Sequence, residues 1–211
     1  MSSTTPPTTS GAPITAGTVT SIGVDLGVKR LLVAAPDTAG PDVEGGLVAG
    51  GEVERALYNA LSDTLDRLAE RPEDTHEAEQ LAIEQYRTML NQQFALAAAS
   101  LVEYAEQQGA DIVVLEDLTF NSGPLAECAR GATEAGEWVL PAFREKAESV
   151  LKARGFQVER VTADKTTQEC HVCGHLAQVG KATIRCDTEH CPVERVCRDH
   201  SAAVSIAKRV F

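Results

Sequence analysis

The stretch SIGVDLGVKRLLVAA, Ser21 to Ala35, decides how the rest of the chain is read. Val19 to Val24 and Leu31 to Ala35 are strand-like runs, and Gly27-Val-Lys-Arg30 between them has the composition of a turn, so the pattern predicts a hairpin. Asp25 falls near the end of its first strand, inside an apolar run. A lone charge there is costly unless it is paired or binds a cation. Satisfaction by loop amides is the competing explanation.

Working outward, Gly40 to Gly51 is glycine-rich, with Gly46 to Ala49 a candidate short third strand. Helical spacing follows over 52–70, with Leu57, Leu61, Leu65 and Leu68 on one face, and over 76–108, with Leu90, Phe94, Leu101 and Tyr104 on one face. Arg71-Pro-Glu-Asp74 separates the two. Gly109 has the position of a C-cap, and Asp111 to Leu115 suits a strand buried on both faces. Residues 121–136 are loop-like, Glu137 to Arg154 is helical in spacing, and Phe156 to Val161 alternates like a strand. The order of hairpin, helices, strand, helix and strand is that of an α/β domain.

Two further acids draw attention. Glu116 follows four apolar residues at the carboxyl end of its strand, where ligands collect in open α/β sheets. Asp117 beside it points to the opposite side, and periodicity alone leaves open which of the two is solvated. Asp199 opens an alanine-rich segment, His200 to Arg209, whose Ala203, Ile206 and Ala207 suggest a small-residue face packed closely on something. Taken alone, Asp199 reads equally well as an N-cap. Three carboxylates at the ends of buried elements can hold two Mg2+ or Mn2+ ions, and such a pair hydrolyses phosphodiesters.

The strongest local signal is Cys170-x2-Cys173 answered by Cys186 and Cys191, with Gly174 allowing a knuckle turn. Five of the six cysteines lie within residues 170–197, and no export signal is visible, which favours one tetrahedral structural Zn2+ over disulfides. Such a site is closed, so it stabilises and shapes rather than catalyses. His171, His175, His190 and Cys197 are substitute ligands ranked below the four cysteines, and Cys128 stands alone as incidental.

The net charge of −12 runs against phosphate binding, but it is unevenly spread: residues 1–140 carry 7 basic and 22 acidic side chains, residues 141–211 carry 12 and 9. The knuckle-bearing third is the electropositive part. Lys29, Arg30, Arg195 and Arg198 are the candidate nucleic-acid contacts. The overall acidity, with 13 Arg to 6 Lys, suggests adaptation to high internal salt, that is, a halophilic protein. No apolar run approaches a membrane span, and the Ser/Thr/Pro-rich first eighteen residues have neither the basic start nor the apolar centre of a leader, so a cytoplasmic protein is expected.

Taken in order, Gly23-Val-Asp-Leu-Gly-Val-Lys-Arg30, Ile112-Val-Val-Leu-Glu-Asp-Leu118, Thr167-Gln-Glu-Cys-His-Val-Cys-Gly174, Ile184-Arg-Cys186 and Arg198-Asp-His-Ser-Ala-Ala203 resemble the RuvC-like nuclease half of the transposon-encoded TnpB proteins. These are RNA-guided endonucleases related to type V CRISPR effectors. Trp138, Phe143, Ala147 and Gly155 fall where that family has its linking helix. Two departures are visible: Ser201 stands where the family usually carries asparagine, and the second cysteine pair has four intervening residues.

The resemblance implies an RNase H-like (RuvC-like) mixed sheet flanked by helices with an inserted zinc ribbon. It also implies Asp25, Glu116 and Asp199 as magnesium ligands for DNA cleavage, and target choice by a guide RNA. The expected division is a disordered tail over 1–18, a nuclease core over 19–164, a zinc ribbon over 165–198 and a final core helix over 199–211. The chain is expected to be truncated, lacking the family's N-terminal guide- and target-recognition half, which a separate chain would have to supply. The alternative function is a catalytically silent remnant that binds nucleic acid or a partner through the ribbon. An actin-like or sugar-kinase ATPase, whose fold also opens with an aspartate-bearing hairpin, would need a second phosphate-binding hairpin that the sequence lacks.

Overall fold

The computed structural model describes residues 19–27, 29–117, 139–162 and 164–210. The expected tail over 1–18, the loop-like 121–136 with Cys128, Trp138, Leu118 of the second motif and Phe211 lie outside the described residues.

Strands β1 (Ser21–Leu26) and β2 (Leu32–Pro36) form the expected hairpin, and β3 (Leu47–Ala49) pairs antiparallel with β2. Two helices follow, α1 (Glu52–Ala69) and α2 (His76–Gln107), separated by the Arg71–Asp74 breaker. β4 (Ile112–Asp117), α3 (Val139–Ala153) and β5 (Gln157–Thr162) complete the sheet, whose strand order is β3-β2-β1-β4-β5. The hairpin half is antiparallel, and β1-β4-β5 runs parallel. This is an RNase H-like mixed sheet flanked by helices.

The two-residue period of the strands sorts the chain into two cores. Ile22, Val24 and Leu26 of β1, Leu32 and Ala34 of β2, and Val113 and Leu115 of β4 all face α1, α2 and α3, where Leu61, Leu90, Phe94, Leu101, Phe143 and Leu151 are buried. Leu57 and Leu65 of α1 pack at the edge of this cluster, so the helical stripes seen in the sequence are the buried faces. Phe94 and Phe143 join α2 to α3 with ring centroids 5.4 Å apart, a tilted pairing favoured by ring quadrupoles.

The opposite face of the sheet holds Val33 and Ala35 of β2, and is covered by α4 (Arg198–Ala207) and a small three-stranded sheet. That sheet, ordered β6 (Gln178–Val179), β7 (Thr183–Arg185), β8 (Val196–Cys197), contributes Ile184 and Val196 to the second core, and the segment between β7 and β8 contributes Val193. A ribbon this small buries little apolar surface by itself and gains its core by sharing the main sheet's second face.

Gly23 sets how closely α4 approaches. A Cβ built on it would lie 2.0 Å from the Ala203 carbonyl oxygen and 2.3 Å from the Ala207 nitrogen, so only glycine lets the helix backbone rest on the strand. Ala203 and Ala207 are fully buried there, as the small-residue face predicts. The Ser21 hydroxyl donates to the Ala207 carbonyl at 2.9 Å. Ser21, Gly23 and Asp25 share one face of β1, so the alternation that brings Ser21 and Gly23 to α4 turns Asp25 towards the helix's first turn.

Candidate functional site

β1 and β4 are in parallel register with Gly23 opposite Val114 and Val24 opposite Leu115. Continuing by one residue places Glu116 beside Asp25. Both are buried, 8% and 3% exposed, on the α4 face of the sheet. Asp117, one residue on, falls on the other face and accepts a hydrogen bond from Arg144 of α3 at 2.8 Å. The choice that periodicity left open between these two acids is thus made by the strand's neighbours.

Asp199 occupies the first turn of α4, where an acid is favoured by the helix dipole. It is not the N-cap: that position belongs to Cys197. Arg30 lies 3.5 Å from Asp199 Oδ2, and Arg198 lies 3.4 Å from Oδ1. Arg30 also donates to Cys197 Sγ at 3.0 Å. Two of the candidate nucleic-acid contacts, Arg30 and Arg198, therefore flank the carboxylates, whereas Lys29 and Arg195 are exposed.

The charges of these acids are interdependent. Burial, then the charges of Glu116 and Asp199, push the Asp25 pKa well above the usual carboxylate range, with Arg198 offsetting part. Burial raises Glu116 to about 7, against the opposing pull of the Thr166 hydroxyl, the Leu26 backbone and Arg209. Among the described residues, neither Asp25 nor Glu116 has a basic group within ion-pair distance. Buried carboxylates that repel each other hold protons unless a cation intervenes, and hard oxygen donors of this kind suit Mg2+ or Mn2+. The three do not form a tight cluster; among the described residues the only such group, with ligand atoms all within 4.8 Å of one another, is the four cysteines.

That cluster is Cys170, Cys173, Cys186 and Cys191. Cys170 Sγ lies 3.7 Å from Cys191 Sγ, and Cys173 Sγ lies 3.5 Å from Cys186 Sγ. A tetrahedron with Zn–S bonds of about 2.3 Å has edges of about 3.8 Å, so the four sulfurs fit a structural zinc ion. Burial raises the Cys170 thiol to about 12; a metal that binds thiolates would displace that proton. Gly174 takes φ +71°, the left-handed turn expected of the knuckle.

The substitute ligands stay outside the cluster. The His171 ring turns away to Ser201, His175 contacts the Cys173 carbonyl, His190 is exposed beside Glu189, and Cys197 meets Arg30.

Sequence reading missed two supports of Glu116. Thr166 Oγ1, buried, donates to Glu116 Oε1 at 2.9 Å. Arg209, just past α4, lends positive charge to Glu116 from a distance and is itself held by the carbonyls of Thr162 and Asp164 at 2.5 Å and by Glu169 at 3.3 Å. A threonine ahead of a cysteine knuckle carries no local pattern that marks it as a carboxylate partner.

Residues 141–206 match the family model described as the Cas12f1-like TNB domain. No curated protein matches the sequence. Among solved structures, a chain of the cryo-EM structure of the Cas12f1–sgRNA–target DNA complex is similar with a TM-score of 0.69 and 17% identity, over 90% of this chain and 50% of that one. A chain of the cryo-EM structure of a CRISPR-Cas12f ternary complex gives 0.63 and 16%, over 93% and 40%. This chain spans half or less of the length of the solved chains it matches. At these identities the likeness speaks for the fold. Among the described residues no helix is long and apolar enough to cross a membrane. Through its Cas12f1-like TNB segment and the RNase H-like sheet on which that segment sits, this chain is related to the TnpB and type V effector proteins.

Proposed function

We propose that this chain is the nuclease part of a TnpB-like, RNA-guided DNA endonuclease, with Asp25, Glu116 and Asp199 as ligands of two Mg2+ or Mn2+ ions. The observation that carries this reading is the approach of three carboxylates from β1, β4 and α4, two of them buried and, among the described residues, with no basic group within ion-pair distance. Bound there, the ions would supply Lewis-acid stabilisation of a phosphodiester and an activated water.

The remaining work falls to the chain's own side chains. Thr166 fixes Glu116 Oε1 and so orients the carboxylate. Arg30 and Arg198 bring positive charge to the edge of an otherwise acidic site, where an incoming phosphate needs it. Exposed Lys29 and Arg195 extend that charge across the surface. Zn2+ on the four cysteines is a closed structural ion that holds the ribbon against α4.

One solved relative is a complex with sgRNA and target DNA; by analogy DNA is the substrate here and a guide RNA the means of selection, with recognition elements beyond this nuclease part supplied by a separate segment or chain. A carboxylate-rich surface suits work at high salt.

The test is cleavage of single-stranded and duplex DNA by the purified chain in high potassium chloride with Mg2+ or Mn2+, beside Asp25→Ala. Cutting that disappears in the variant while its fold persists supports the reading. Equal cutting by both refutes it, and DNA binding without metal and without cutting favours a silent ribbon-borne binding module.

A further inference from the structure

We propose that His171 is a positioning residue through which the cysteine-held ribbon fixes Asp199; this rests on reading Asp199 as a metal ligand. His171 lies between Cys170 and Cys173, so an ion held by those thiolates would fix its backbone. Its ring, 3% exposed, packs away from the sulfurs and into the main domain. Nε2 is 3.2 Å from the Gly40 carbonyl, and Nδ1 is 2.9 Å from Ser201 Oγ. A carbonyl can only accept, so Nε2 carries the proton, and Nδ1 accepts from the Ser201 hydroxyl. His171's own carbonyl accepts from Lys208 Nζ at 2.6 Å.

Ser201 and Lys208 stand at the two ends of α4, and Ser201 is two residues beyond Asp199. One ribbon residue thus grips both ends of the helix that carries the third carboxylate. Ala203 and Ala207 rest on Gly23, a smooth contact of small groups that sets how near the helix lies, and Val204 packs in the second core. Directional hydrogen bonds are what set its rotation and slide. Among the described residues those bonds come from His171, from the Ser21 hydroxyl at Ala207, and from the Ala182 carbonyl, which accepts from the Arg198 N–H at 3.0 Å, while Arg30 reaches Asp199 itself at 3.5 Å.

The experiment uses the full zinc-loaded chain and follows Mn2+ binding by electron paramagnetic resonance at fixed pH, with zinc content measured in parallel. The set is wild type, His171→Ala, Ser201→Ala, the double variant, His171→Gln and Asp25→Ala. A buried hydrogen bond is worth enough to change an equilibrium by roughly 3- to 10-fold. His171→Ala and Ser201→Ala are each expected to weaken Mn2+ binding by about that factor with zinc retained. The double variant is expected to be no weaker than the poorer single, and His171→Gln, which can still donate and accept, to recover part of the loss. Ser201→Ala removes one oxygen, so it remains informative if His171→Ala fails to fold. Wild-type Mn2+ affinity in a folded Ser201→Ala, or losses that simply add, would overturn the positioning role. Undiminished Mn2+ binding in Asp25→Ala would instead overturn the carboxylate-site reading and the inference resting on it.

Discussion

Gly23→Ala is the sharpest test of how the fold builds the site. The added methyl would sit 2.0 Å from the Ala203 carbonyl oxygen and 2.3 Å from the Ala207 nitrogen, both backbone atoms that no rotamer change can move. Real Cβ contacts essentially never fall below 3.0 Å, so α4 must retreat from β1 by about 1 Å. Overpacking of this kind costs about 1–3 kcal/mol. For a chain of this size each kcal/mol lowers Tm by roughly 2–4 °C, which predicts a fall of about 2–12 °C by calorimetry. The same retreat carries Asp199 away from Asp25 and Glu116, and a displacement of about 1 Å in a reacting constellation costs on the order of 100-fold in rate. The assay pairs calorimetry with metal-dependent DNA cleavage. A variant with wild-type Tm and wild-type cleavage would refute the claim that α4 is seated on Gly23 and that its seating sets the carboxylates.

Two further outcomes follow from the same geometry. Burial raises the pKa of Asp25 and of Glu116, so the metal-free folded chain binds more protons than the unfolded chain; their contribution to stability is fully present below the ordinary carboxylate range and is lost as pH rises towards about 7. Thermal melts without divalent ions should therefore lose stability across that window, Mn2+ should restore more at higher pH, and Glu116→Gln should flatten the slope; a pH-independent Mn2+ effect would contradict the coupling. Asp117→Asn should retain cleavage and lose no more than about 1 kcal/mol in denaturant melts, because its bond to Arg144 lies on the opposite face and is partly exposed; abolished cleavage in that variant would mean that the wrong acid of the pair has been assigned.

The α/β order of elements was legible because alternating or apolar runs mark strands and a period of 3.6 marks helices, and these patterns are properties of the local chain; the mixed sheet came from the family resemblance. The hairpin around Asp25, the leucine stripe of α1 and the Leu90–Phe94–Leu101 face of α2 all follow from those patterns. The four cysteines were legible for a related reason: thiolates at knuckle spacing need only a short loop to converge on one ion. Other assignments had no local signature. Glu116 differs from Asp117 only through α4 on one face of β4 and Arg144 on the other. Asp199 lies in the first turn behind a Cys197 cap, a distinction of two residues that a composition pattern does not carry. His171, ranked below the cysteines as a substitute metal ligand, is turned to Ser201 between the ribbon and α4. Thr166 meets Glu116 across fifty residues of sequence. Sequence by itself determined the strands of the main sheet, its helices and the cysteine cluster, since those depend on neighbours a few residues away. Only the tertiary structure decided which polar groups face one another, because that depends on register and on which element covers each face of the sheet.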